Sequence, residues 1–313
     1  MQEQIWERTN NIYDQKYLNT LKVILIVYLM SYELAPVLNI SNAHPRDLNI
    51  KFYEVGHKYH ILNDSGNKYT SVTTWLHGNF AKFDADLIID NMMKGRNWKE
   101  GNKYWGKTKE EIKLLWTSNN GSHAGTEMHF RIECFMNNAK VDPNYTHQQL
   151  ATYYDNHQET QKENINTTQI PNIEWSYFMN FIRDFPDFKP YRTEWIIFHE
   201  DIKLAGSIDM VYENSDGTVS IYDWKRSKEI SKNNKWNKFA IVKEIDDIPD
   251  TNFWHYSLQL NAYKAILEQK YNKQVRDLFL VRLHPDADNY ELIKVPDLSD
   301  EINKLFNIRY KVI

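Results

Sequence analysis

The chain has 313 residues, 42% of them apolar, and a formal net charge of −4; that length suits one large domain or two small ones, since single cores stop growing at roughly 250–300 residues. Its one cysteine, Cys134, excludes a disulfide framework, a zinc ribbon and a four-cysteine iron–sulfur cluster, and points to a reducing, intracellular compartment. The acidic total disfavours a polyanionic partner, so any phosphate-binding surface has to come from local clustering of Lys and Arg.

The first residues carry Glu3, Glu7 and Asp14, unlike an acid-poor transit peptide, and the apolar run Val23–Met30 falls far short of the ~20 residues that cross a bilayer. No targeting segment and no membrane partner are expected, and the run reads as a buried helix or strand. The polar connector Ser41–Pro45 has loop composition, which divides the chain into an N-terminal extension, 1–45, and a main domain, 46–313. Between Ile50 and Thr74, the alternation in Lys58–Leu62, the turn residues Asn63–Asn67 and the following Lys68–Thr73 predict a β-hairpin. Apolar spacing then predicts helices over Asp84–Met93 and Lys109–Trp116. From Lys94 to Lys113 seven Lys/Arg stand against three Glu, interleaved with Trp98, Tyr104 and Trp105. That composition fits a nucleic-acid strand, and equally a solvated helical face.

A helix is predicted over Gly125–Asn137, with Cys134 packed on its core side, then a polar excursion over 139–170 holding at most one short helix. Another helix covers Ile173–Phe185 and stops at Pro186. The pattern then switches to strands at Tyr191–His199, Ile202–Tyr212 and Thr218–Trp224, with Asn214–Gly217 as a hairpin turn. A helix at Ser257–Gln269 and strands at Leu278–Leu283 and Tyr290–Val295 complete an α/β or α+β architecture. The His284-Pro-Asp-Ala-Asp288 stretch reads as a turn without chemistry.

The chemistry concentrates on the hairpin around Asp209 and Asp223-Trp224-Lys225. Strand alternation puts Asp223 and Lys225 on one face, and the neighbours Val219, Ile221, Tyr222, Ile208, Met210 and Val211 make both strands read as buried. An exposed Asp-x-Lys is usually an ordinary surface pair. Charges in a core sheet are costly unless paired or metal-bound, and two carboxylates on neighbouring strands can share a hard divalent cation. Phosphodiester hydrolysis is the reaction such a site suits.

At these residues the sequence resembles the PD-(D/E)XK nucleases, in particular the RecB-like and lambda exonuclease-like branch, over roughly residues 46–295. The motifs run in order: Gly125-Thr-Glu-Met-His129, Glu194, Gly206-Ser-Ile-Asp209, Asp223-Trp-Lys225 and Gln259-Leu-Asn-Ala-Tyr263. Ser71-Val-Thr73 and the helices after it are also similar to mitochondrial genome maintenance exonucleases and related viral proteins. The resemblance implies a restriction-endonuclease-like core, a central mixed sheet flanked by helices, with a helical N-terminal part. It implies that His129, Asp209, Asp223 and the Trp224 carbonyl ligate Mg2+ or Mn2+. Lys225 would position or activate the attacking water, Glu194 would assist a second ion or a water, and Gln259 and Tyr263, on one helical face, would hold Lys225 or the scissile phosphate. The implied activity is a DNA exonuclease of replication, repair or recombination acting on single strands or duplex ends. An RNA endonuclease on the same scaffold and a non-catalytic nucleic-acid-binding module are the alternatives. A second basic run, Lys225–Lys243, carries seven Lys/Arg against Glu229, with Trp236 and Phe239, and is placed to follow a backbone.

Overall fold

The computed structural model of this chain describes residues 36–53, 55–117, 121–138, 144–157, 172–234 and 237–313. The run Val23–Met30 lies outside them, as do Lys235 and Trp236 of the second basic run. A short helix α1 (Val37–Ser41) and a 3-10 turn (Pro45–Asn49) lead into a hairpin of β1 (Ile50–Tyr53) and β2 (Lys58–Ile61). The two-residue strand β3 (Thr70–Ser71) runs into α2 (Val72–His77), followed by α3 (Ala85–Lys94), α4 (Lys109–Thr117), α5 (Gly121–Met136), α6 (His147–Asn156) and α7 (Asn172–Asp184). Then come β4 (Lys189–His199), β5 (Leu204–Glu213), β6 (Val219–Lys225), α8 (Asn252–Lys270), β7 (Val275–Arg282), β8 (Glu291–Lys294) and α9 (Ser299–Tyr310). Among the described residues no helix is long and apolar enough to cross a membrane.

The expected hairpin exists with a different partner. Lys58–Ile61 pairs backwards with Ile50–Tyr53, in the register Ile50–Ile61 and Phe52–Tyr59, instead of forwards with 68–73. The later segment is unavailable because Ser71 Oγ accepts the Thr74 amide and starts α2, so Val72 and Thr73 are helical. Asn63–Asn67 is held as a loop by Asp64, whose carboxylate accepts from Tyr69, Asn67 and Lys203.

β4, β5 and β6 are antiparallel neighbours, β6 and β7 are parallel with α8 as the crossover, and β8 returns antiparallel. This is the mixed sheet flanked by helices that the sequence predicts. Alternation along β6 assigns its faces. Val219 and Ile221 enter a core shared with α2, α8 and α9, while Tyr222 and Trp224 enter a second core with α5, α6 and α7. Leu38 of α1 is fully buried in that second core, and Arg192 and Trp195 of β4 both bond the Asp47 carboxylate, so residues 37–49 pack on the sheet. Cys134 departs from its expected place: it is exposed. Ile132 and Met136 define the buried side of α5, and a residue two positions from Ile132 lies about 200° round the helix.

A fork in the sheet positions the site. β4 occupies one edge of β5 throughout, so β3 at Leu204–Ala205 and β6 at Met210–Glu213 must share the other edge. Between them, from Gly206 to Asp209, that edge has no strand partner among the described residues. Asp209 and Asp223 are the next residues in register beyond the last β5–β6 pair, Met210 with Tyr222, and therefore sit where the strands part.

Candidate active site

Backbone geometry at the fork brings the acidic groups together. Asp209 Oδ2 accepts the Trp224 amide at 3.0 Å, standing in for a ladder bond. Glu194 stands between Thr193 and Trp195, the register partners of Met210 and Ile208, which puts it level with Asp209, and it has φ +41°, a left-handed conformation that costs a residue with a side chain of order 1–3 kcal/mol. Its Oε2 accepts from Ser207 Oγ at 2.9 Å, and its Oε1 lies 3.9 Å from His129 Nδ1. His129 Nδ1 is also 3.5 Å from Asp209 Oδ2. The other imidazole nitrogen, Nε2, donates to the Trp224 carbonyl at 2.9 Å; because a carbonyl can only accept, Nε2 carries a proton and Nδ1 is the nitrogen turned to the carboxylates.

His129, Glu194 and Asp209 thus present ligand atoms that all lie within 4.8 Å of one another. Asp223 is 2% exposed and held differently: its Oδ2 is 2.7 Å from Lys225 Nζ, and Gln259 Nε2 approaches its Oδ1 at 3.4 Å. Gln259 is equally 3.4 Å from the Tyr263 hydroxyl. The Lys225 ammonium lies 4.6 Å from the centre of the Tyr256 ring. Tyr256, Gln259 and Tyr263 are at i, i+3 and i+7 of α8 and form one stripe facing the fork.

The electrostatics crowd buried carboxylates whose charge a cation would offset. Burial and then the nearby Asp209 charge push Asp223 up to about 6, against the pull of Lys225. Burial also raises Asp209, beside Glu194. Burial alone would lower His129, but Asp209 and Glu194 outweigh it and lift the imidazole to about 9; in the same way Asp223 and Asp209 hold the buried Lys225 ammonium charged. Carboxylates crowded beside a histidine in a desolvated fork match the donor chemistry of a divalent ion, with His129, Glu194 and Asp209 able to hold it and Asp223 beside them.

The fork collects every residue predicted for the site, yet arranges some of them otherwise. Glu194 joins the His129–Asp209 cluster, Asp223 pairs with Lys225, and the Trp224 carbonyl accepts from His129. Gly206 and Ser207 entered only as members of the Gly206-Ser-Ile-Asp209 motif, without a role, and Tyr256 was not singled out, although it could have been found from its spacing to Gln259 on a helix. Gly206 is required by contact: a Cβ there would lie 2.6 Å from Tyr263 Cε1. Arg226, the residue after Lys225, turns inward to Glu174, with Nε to Oε1 at 2.6 Å.

The basic segments are less uniform than their composition. Lys109 is bound to Asp86 and Asp90 and Lys113 to Asp86, while Lys94, Arg96, Lys99, Lys103 and Lys107 are exposed. Trp98 packs edge-on to Trp105 at 5.7 Å, and Trp105 is 47% exposed. In the second run Lys225 and Arg226 point inward, Lys228 pairs with Asp286 and Lys232 lies over Phe253. The Asp286 pairing sits in the turn between β7 and β8, as the sequence predicts for His284–Asp288.

A family model for the PD-(D/E)XK nuclease superfamily matches residues 136–309, more than half of the chain. Among solved structures the chain is similar to a candidate exonuclease from Eubacterium rectale, at 15% identity over 78% of this chain and 77% of that one, with a TM-score of 0.31. It is also similar to SSO0001, at 16% identity over 52% and 70% of the two chains, with a TM-score of 0.23. Both superpositions are too loose to carry an argument, and no protein of curated function matches. The matched stretch spans β4 to β8 and contains Glu194, Asp209, Asp223, Lys225, Gln259 and Tyr263, with His129 just ahead of it. With the Asp-x-Lys strand at the centre of that match, the chain belongs to the PD-(D/E)XK nuclease superfamily.

Proposed function

We propose that this nuclease depends on a divalent metal and hydrolyses phosphodiester bonds of DNA from strand ends, in replication, repair or recombination. The observation that supports it best is the convergence of His129, Glu194 and Asp209 at the fork, with the Asp223–Lys225 pair alongside. Magnesium or manganese held there would lower the pKa of water and offset charge developing on the phosphate oxygens. His129, Glu194 and Asp209 would hold it, with the Asp223–Lys225 pair beside them, and the imidazole would make manganese as acceptable as magnesium. Lys225, placed by the Tyr256 ring and by Asp223, orients the attacking water in line with the scissile phosphate. Gln259, steadied by Tyr263, holds Asp223 toward the fork and shares contact with the phosphate.

The preference for DNA and for ends rests on the resemblance to RecB-like and lambda exonuclease-like proteins. Digestion of end-labelled linear and closed circular DNA, single- and double-stranded, beside RNA of the same sequence tests it, each with magnesium, manganese or chelator. Mononucleotide release from linear DNA only, abolished by chelator, is expected. Cutting of closed circles would replace the exonuclease with an endonuclease, and faster cutting of RNA would replace the substrate.

A further inference from the structure

We propose that the β1–β2 hairpin is a stacking shelf for unpaired bases, so that the nuclease proposed above takes single-stranded or frayed ends in preference to paired ones. The inference rests on the nuclease reading and adds to it the state of the substrate strand.

The hairpin has two faces set by its register. Ile50 pairs with Ile61 and Phe52 with Tyr59, so these four side chains share one face, while Lys51, Tyr53, Lys58 and His60 take the other. The inner end of the first face is an anchor. Ile50 and Ile61 are buried with Tyr69, Phe198 of β4 and Ala205 of β5, and Tyr59 packs against that cluster together with Ile196. The outer end is aromatic: the Phe52 ring lies 4.9 Å from Tyr59 and 4.8 Å, edge-on, from His57. Phe52 and Tyr59 are only half-buried and His57 is exposed, with Lys58 exposed beside them.

The position of this face relative to the fork follows from the strands beneath it. Ala205, Ser207 and Asp209 alternate onto one face of β5, and Ile196 pairs with Ser207. The hairpin therefore sits on the same sheet face as Ser207 and Glu194, and the step from Ile196 to Glu194 along β4 is only about 7 Å. A strand whose phosphate reaches Asp209 thus has its neighbouring bases over Phe52, Tyr59 and His57. Aromatic rings flanked by lysines bind any base through its π-face, and a base has that face available only when unpaired and unstacked.

The test uses the full chain with labelled oligodeoxythymidine, an abasic oligonucleotide of equal length and a blunt duplex. Binding is read by anisotropy in calcium, and cleavage is followed in parallel with magnesium or manganese. Phe52→Leu keeps apolar bulk but removes the ring, and His57→Asn suits the positive φ of that turn position, +50°. Each variant should weaken binding of the thymidine strand about tenfold, as loss of a base–aromatic stack does. Neither should alter binding of the abasic strand or the duplex, nor the salt dependence. Equal losses on the abasic strand, or none on the thymidine strand, would overturn the shelf while wild-type cleavage left the nuclease reading intact. Absence of both binding and cleavage in the wild type would overturn the two together. If a melt shows Phe52→Leu unfolded, His57→Asn on the exposed turn decides the matter by the same criteria.

Discussion

At the scale of single residues, the two fork aspartates differ in what their removal leaves behind. Asp209→Asn keeps an acceptor for the Trp224 amide and removes a buried charge from beside Glu194, so it should abolish cleavage and raise the melting temperature of the metal-free protein. Asp223→Ala should abolish cleavage too but strands the Lys225 ammonium, now paired at 2.7 Å. Removing one partner of a buried pair costs about 3 kcal/mol, so this variant should melt lower than wild type. Thermal melts of both variants beside an activity assay check the contrast. The same charges set a pH dependence. Asp223 titrates near 6 in the folded protein, above its ordinary 3.8. The folded state therefore holds more protons than the unfolded chain in that window, and this group's contribution to metal-free stability falls as pH rises through it. A metal held at the fork would displace protons from Asp223 and from His129, which its carboxylate neighbours lift to about 9. Affinity should rise with pH between about 6 and about 9, with proton release visible by calorimetry in buffers of different ionisation enthalpy. His129→Gln should remove the upper part of that rise.

At the scale of elements, the contact between β5 and α8 is a place where volume decides orientation. Gly206→Ala would drive a methyl to 2.6 Å from the Tyr263 ring, displacing the helix face that carries Gln259 and Tyr256. Overpacking of this kind costs about 1–3 kcal/mol, and activity should fall with it. Tyr263→Leu in the same chain should restore the melting temperature without restoring turnover, which separates packing from chemistry. What the sequence disclosed about these elements follows from how locally each is encoded. β4, β5 and β6 were legible because their apolar residues run long and the Asn214–Gly217 turn, with φ +81° at Gly217, marks their join. The β1–β2 pairing was not, because Lys58–Ile61 has two possible partners and the choice falls to Ser71 as a helix cap and to Asp64 as a loop clasp. α9 escaped notice for a related reason: Ile302, Leu305 and Phe306 become a buried face only against α8, α2 and the end of β4. Of the candidate site, the ordered motifs named the residues that the fork brings together. The pairing of Asp223 with Lys225 and the turn of Glu194 toward His129 depend on the fork, which no local pattern encodes.

At the scale of the whole molecule, acid bears hardest on the second core, which holds the most deeply buried histidine, although burial also lowers His199 beside Phe306 of the first. His147 is fully buried among Phe181, Phe188 and Tyr212, with Nε2 2.9 Å from the Tyr212 hydroxyl. Burial lowers it to about 3 from an ordinary 6.5. The unfolded chain thus takes up this proton first as pH falls, and stability should drop progressively between about 6.5 and about 3. His147→Gln should flatten the acid limb of a denaturant-midpoint profile over that interval, whatever its effect at neutral pH. An unchanged limb would assign acid lability to the carboxylates held by Lys203, Arg46 and Lys264 instead.

The fork has one more consequence, which concerns observation. The Trp224 amide is bound by a carboxylate where a strand would have offered a carbonyl, so this proton senses the electron density on Asp209 directly. In a heteronuclear spectrum its resonance should sit far downfield in the metal-free state, since a charged acceptor makes the stronger bond. It should move upfield as a cation draws on the same oxygen. A single backbone proton then reports occupancy of the site under conditions where no substrate is turned over, and it distinguishes an ion bound at Asp209 from one adsorbed elsewhere on an acidic surface.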